Sequence, residues 1–131
     1  LNKNCGVAGI SGVSSDFRDL IAGMENGNER CKLALDMFNY QTKRFVGAYA
    51  AAMGGLDCIV FTAGIGENTP QVREGVCEGL EFLGVKLDKA KNVAKNDGGI
   101  RDISAEGSRV KILVIPTNEE LVIARETAEL L

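Results

Sequence analysis

The sequence contains no histidine. That absence removes Ser-His and Cys-His nucleophile pairs from anything this chain can assemble by itself. A zinc site would then have to come from three or four thiolates, because imidazole is the other common ligand. The four cysteines, Cys5, Cys31, Cys58 and Cys77, are scattered and show no C-x-x-C spacing. Cys31 and Cys58 fall within apolar patterns, so small buried hydrophobic side chains are expected there. Long apolar runs are also lacking. The best stretch, Val46 to Val60, is interrupted by glycines and Asp57, well short of the ~18 apolar residues of a membrane-spanning helix. Leu1 to Gly12 shows neither the basic start nor the apolar centre of a signal peptide. Positive charge is in deficit: the net charge of −3 offers no electrostatic footprint for nucleic acid. The expectation is a cytoplasmic protein with neither membrane nor nucleic-acid partners.

What is present suits one compact α/β domain. The chain has 131 residues, 45% hydrophobic and 25% charged, enough to bury a core. It opens on Leu rather than Met, which suggests a piece of a longer protein. No internal repeat or second domain is visible, so residues 1–131 are read as a single unit.

The Gly/Ser-rich opening, Gly6 to Ser15, reads as loop or edge structure. Ser14, Ser15 and Asp16 offer N-cap chemistry for a short helix over about 15–24. Cys31, Ala34/Leu35, Phe38, Thr42, Phe45, Tyr49 and Ala52 recur at helical spacing and predict a long helix over 29–53, stopped by Gly54-Gly55. Leu56 to Thr62 is nearly continuous in apolar character, the pattern of a strand buried on both faces of a parallel sheet. A glycine loop, Ala63 to Asn68, follows. Thr69 and Pro70 then open a helix over 70–83, closed by Gly84. Val85 to Gly99 reads as a short strand, a turn and a loop, and Ile100 to Ser104 as a short strand. Val110 to Ile115 predicts a second buried strand, and Thr117 with Glu120 a capping box for a helix over 118–131.

Three segments could carry chemistry. The loop Ala63-Gly64-Ile65-Gly66-Glu67-Asn68 lies between a strand and a helix, where ligands of α/β sheets bind and where glycines admit a close phosphate. A tight connection without ligand explains it equally well. Asp16-Phe17-Arg18 pairs an acid with a planar guanidinium that can stack on a base, or simply caps a helix. Glu119, directly after the second strand, is free of the capping box and could face Mg²⁺ and phosphates, or merely favour the helix dipole. Two further patterns compete with these readings. The run G-x-G-x-x-T places Thr69 where a dinucleotide site has glycine, although Asp88 stands near the spacing of a ribose-binding acid. Gly79 and Gly84 have P-loop spacing, but Val85 replaces the lysine.

Taken together, Val13-Ser14-Ser15-Asp16-Phe17-Arg18-Asp19, Phe61-Thr62-Ala63-Gly64-Ile65-Gly66-Glu67-Asn68 and Ile115-Pro116-Thr117-Asn118-Glu119-Glu120-Leu121 resemble the acetate kinase family in order and wording. Propionate kinases share most of this pattern. The resemblance covers nearly the whole chain and implies its C-terminal, nucleotide-binding part. The implied fold is the ribonuclease-H-like lobe of the actin, sugar-kinase and heat-shock ATPase superfamily, a central sheet flanked by helices. It further implies that Asp16, Phe17 and Arg18 contact adenosine, that Gly64, Ile65, Gly66, Glu67 and Asn68 pass along ribose and phosphates, and that Glu119 helps hold Mg²⁺. Transfer between ATP and acetate, giving acetyl phosphate and ADP in a homodimeric enzyme, is the implied activity. The family's acceptor-side residues, a histidine and arginines, belong to an amino-terminal lobe, so no catalytic residue is expected in this chain, nor turnover by it alone. Alternatives from other classes are a Rossmann-type oxidoreductase domain and a non-catalytic actin-like nucleotide switch.

Overall fold

The computed structural model describes residues 5–95 and 98–130, with the side chain of Glu119 excepted. One long helix, α3 (Glu29–Met53), forms the backbone of the architecture. The Asn28 carboxamide caps it by accepting from the backbone N–H groups of Arg30 and Cys31, and Gly54 ends it at φ 74°. Helices α1 (Gly6–Ser11), α2 (Phe17–Glu25) and α5 (Pro70–Cys77) pack against α3. Its buried face is Cys31, Ala34, Leu35 and Ala50. The expected apolar stripe runs outward in its second half, where Phe45 and Tyr49 are more than 60% exposed.

Strands β1 (Cys58–Phe61), β2 (Arg101–Asp102) and β3 (Lys111–Val114) form a sheet in the order β1-β3-β2. β1 is parallel to β3, with Ile59 opposite Ile112 and Phe61 opposite Val114; β2 is antiparallel. These four side chains all face the core, with Leu20, Leu35, Val72 and Val76 among its other members. Burial of β1 is one-sided, contrary to the expectation from its continuous apolar run. Cys58 and Val60 point away from the core and are exposed, so Cys58 is not the buried hydrophobe its neighbours suggested. Cys31 is buried as expected.

The short elements differ most from the sequence expectation. The Gly/Ser-rich opening contains α1, which has no side-chain cap of its own. It is held from outside instead: the Ile10 carbonyl accepts from Arg30 Nε at 2.9 Å. The glycine loop is a six-residue helix, α4 (Ala63–Asn68). The helix expected over 70–83 ends at Cys77, because Glu78 leaves helical geometry at ψ 130° and Gly79 turns the chain at φ 77°. A 3₁₀ turn over Glu81–Leu83 follows. Within the stretch expected as a turn and loop, α6 (Lys89–Val93) is capped by Asp88, whose carboxylate accepts from the Lys91 N–H. The capping box is not formed. Helix α7 (Glu119–Glu129) is capped by Asn118, which accepts from Leu121 N–H at 3.0 Å. Residue 131, the expected end of that helix, lies outside the described residues.

Candidate functional site

Parallel pairing of β1 with β3 brings the C-terminal ends of both strands to one edge of the sheet. The segments that leave them, Thr62 to Asn68 and Pro116 to Glu120, are tied together there. Thr62 and Thr117 share a hydroxyl–hydroxyl hydrogen bond of 2.6 Å. The same Thr117 hydroxyl accepts from the Ala63 N–H at 3.0 Å. Thr117 N–H in turn donates to Glu67 Oε1 at 2.8 Å. This explains the absent capping box: the threonine is turned towards β1 and not along its own helix. Ala63, at φ 58°, is the only non-glycine residue in the left-handed region among the described residues. Local strain of that kind persists where the surroundings over-determine the backbone, often at binding sites.

Two clefts open on either side of α4. One, about 440 Å³, is bounded by Ala63, Glu67, Thr117, Asn118 and Glu120. The other, about 460 Å³, is bounded by Asp16, Phe17, Arg18, Ile21, Ile65 and Thr69. Gly64 and Asn68 line both, so the clefts adjoin with α4 as their shared wall. Thus three segments distant in sequence meet at one place.

The detailed environments of the candidate residues differ. Arg18 curls back on Asp16: Nη2 donates to Oδ2 at 2.6 Å and Nε to Oδ1 at 3.1 Å, while the Arg18 backbone N–H also reaches Oδ1. These bonds hold the Asp16 carboxyl down at about 2. The Arg18 side chain remains 90% exposed, leaving its guanidinium plane open. Phe17 belongs chiefly to the core, its ring edge-on to Phe38 at a centroid distance of 4.7 Å. Gly66 is not in the left-handed region; instead a Cβ would lie 3.0 Å from the Phe61 carbonyl carbon, so what it requires is closeness. At Gly64 a Cβ meets nothing of the protein within 4 Å. Glu119 begins α7 beside Asn118, and its side chain lies outside the described residues. Asp88 lines neither cleft and serves as the α6 cap, which removes the only support for a ribose-binding acid.

The model of the acetokinase family matches residues 1–125. The chain belongs to the acetokinase family. It is 58% identical over 131 residues to the acetate kinase of Heliobacterium modesticaldum, covering all of this chain and 32% of that protein. The crystal structure of Porphyromonas gingivalis acetate kinase superposes with a TM-score of 0.88 at 48% identity, over 98% of this chain and 32% of the other. A propionate kinase from Francisella tularensis gives 0.84 at 37% identity, over 96% of this chain and 31% of the other. This acetokinase-family chain therefore spans about a third of the length of the relatives it matches, and its small helix-flanked sheet has their α/β fold.

Sequence reasoning missed two features of the site. The T-x-x-E match casts Thr117 as a cap and hides its tie to β1. Arg73 sits among Val72, Val76 and Cys77 on the buried face of α5 and has no motif of its own. A charged residue on an apolar helical stripe was the available signal.

Proposed function

We propose that this chain is the nucleotide-binding part of an acetate kinase, which transfers a phosphoryl group reversibly between ATP and acetate to give acetyl phosphate and ADP. The observation that carries this reading is the pair of adjoining clefts to which three separated segments contribute, with Gly64 and Asn68 common to both. Adenosine occupies the cleft bounded by Asp16, Phe17 and Arg18. There the open plane of Arg18, held by Asp16, stacks on the base. Ribose and phosphates run along Gly64, Ile65, Gly66, Glu67 and Asn68. Backbone approach is easiest at Gly64, where no side chain intervenes.

Mg²⁺ accompanies the nucleotide. Among the described residues no group of three or more Asp, Glu, His or Cys side chains could cage a metal. A magnesium ion carried by phosphates needs only one or two carboxylates and water, and the phosphate-side cleft offers hard oxygen donors in Asn68, Asn118 and Glu120. Those donors suit the ion, and Glu119 at the head of α7 is the carboxylate assigned to it. When bound, the ion neutralises phosphate charge.

Phosphoryl transfer depends on two reactants held in line and on charge neutralised around them. The residues of this chain orient the nucleotide; the acceptor side is assigned to the rest of the enzyme. The chain alone is therefore expected to bind nucleotide without turning over. Propionate as acceptor is the second reading, favoured by the match to the Francisella propionate kinase. Exposed Tyr40, Phe45, Tyr49 and Met53 on α3 support a homodimeric enzyme, and a cytoplasmic one is in keeping with the absence, among the described residues, of a helix long and apolar enough to cross a membrane.

The test is to follow thermal stability of the chain while adding Mg-ATP, Mg-ADP or NAD. Stabilisation by the adenine nucleotides alone is expected. An equal response to NAD, or none to ATP and ADP, overturns the reading. Glu119→Ala should weaken the magnesium dependence of ATP binding; an unchanged dependence removes Glu119 from the metal site.

A further inference from the structure

Arg73 is only 1% exposed and is the largest fully buried side chain among the described residues. Among the described residues no carboxylate pairs with it. Its nitrogens are satisfied by neutral oxygens alone. Nη1 donates to the Gly66 and Glu67 carbonyls, both at 2.8 Å, while Nε and Nη2 donate to Asn92 Oδ1 and the Asn92 carbonyl, both at 2.7 Å. Asn92, itself fully buried, is fixed by donating Nδ2 to the Pro70 carbonyl at 2.9 Å.

The groups that Arg73 holds are those α4 cannot satisfy. A helix leaves its last four carbonyls without internal partners. In α4 the Ile65 carbonyl accepts from Thr69 N–H at 3.1 Å. The Gly66 and Glu67 carbonyls have Arg73. The other end of α4 is held by Thr117, through the Ala63 N–H. A helix of six residues is too short to be stable by itself, so its position is set by these clamps.

Burying a cation without a counter-charge is unfavourable, and burial, with nearby Arg101 second, pushes Arg73 down to about 10. It stays protonated at neutral pH. An apolar side chain among Val72, Val76 and Cys77 would avoid burying that cation but would leave the Gly66, Glu67 and Asn92 oxygens without their donor. What an apolar side chain cannot do is reach two successive carbonyls of α4 and the α6 backbone together.

We propose that Arg73 is a positioning residue for the nucleotide clefts: its fork, aligned by Asn92, fixes the C-terminal end of α4 and so sets the wall shared by the two clefts. It acts through Gly66 and Glu67, since neither Arg73 nor Asn92 lines either cleft. The proposal rests on the nucleotide reading for its functional consequence, but not for the positioning itself.

Two measurements separate these. Native-state hydrogen exchange on the unmodified chain should show α4 and α6 opening together, at the same denaturant dependence. Independent opening of α4 overturns the positioning role whether or not nucleotide binds. Arg73→Lys keeps the charge but loses the fork. Amide exchange in α4 should then rise at least tenfold while β1 and β3 change little. In the complete enzyme, the KM for ATP should rise about tenfold, with the KM for the carboxylate unchanged. A purely structural role would instead lower the active fraction, reducing kcat and leaving both KM values alone; that result overturns the proposal. Faster exchange in α4 without any nucleotide binding by the native chain upholds the positioning and rejects the nucleotide reading.

Discussion

Thr117 and Glu67 join the two segments that follow the parallel strands: the Thr117 N–H donates to the Glu67 carboxylate at 2.8 Å. The Thr117 hydroxyl also accepts from Ala63, the residue held at positive φ. Removing the hydroxyl strips α4 of its N-terminal anchor. Thr117→Val is expected to destabilise the chain by about 1 kcal/mol, a typical net value for a hydrogen bond. Nucleotide affinity should fall with it. Thr117→Ser should restore both, as denaturant titration and ATP binding would reveal. If valine and serine behave alike, the hydroxyl is not the anchor.

Gly64 and Gly66 separate ligand approach from internal packing. A methyl at Gly66 presses on the Phe61 backbone, the nearest atom lying 3.0 Å away. Gly66→Ala is therefore expected to cost about 1–3 kcal/mol as overpacking does. A methyl at Gly64 meets nothing. Gly64→Ala should leave stability unchanged or raise it by about 0.5–1 kcal/mol through helix propensity, yet weaken ATP binding where phosphates approach. Full affinity in the Gly64 variant would mean the nucleotide passes elsewhere.

At α7 the cap is Asn118. Asn118→Ala should lower stability by about 1 kcal/mol, whereas Glu120→Ala, at an exposed position, should stay within about 0.5 kcal/mol. Thermal melts of the two variants decide between Asn118 and the T-x-x-E box.

Asp102 gives a pH signature. Lys111 Nζ donates to its Oδ2 at 2.8 Å, and the Ser104 N–H to Oδ1 at 2.9 Å. The Lys111 bond first, then Ser104, holds the carboxyl well below its ordinary 3.8. Because the folded-state value is depressed, this stabilisation is complete above the unfolded value and lost as pH falls through the lower folded one. The pair is largely exposed, so its contribution is modest, about 0.2–1 kcal/mol, and screened by salt. Asp102→Asn should melt below the native chain at neutral pH, with the gap closing in acid below 3.8. A gap independent of pH would show that the charge is not involved.

Elements with dense local signals were legible before any coordinates. The recurring Cys31-Leu35-Phe38 spacing and the Gly54-Gly55 stop mark out α3, and the apolar runs around Ile59 and Ile112 mark both long strands. Of the residues singled out in the three segments, Asp16, Phe17, Arg18, Gly64, Ile65, Glu67 and Asn68 line the two clefts, whereas Gly66 lines neither. Helices α1, α4 and α6 were not legible, because five or six residues carry too little periodicity and their stability comes from distant partners such as Arg30, Arg73 and Thr117. Which face of β1 is covered also escaped, since Cys58 and Val60 are as apolar as Ile59 and Phe61.

The common wall of the two clefts has a consequence for how this site can change. Gly64 and Asn68 belong to both clefts, so any mutation that shifts α4 reshapes both at once. On the proposed nucleotide reading, preference among nucleobases and grip on the charged tail are mechanically coupled traits. Altering one without the other must begin at an outer margin, at Arg18 or Asn118, where a substitution reaches a single cleft.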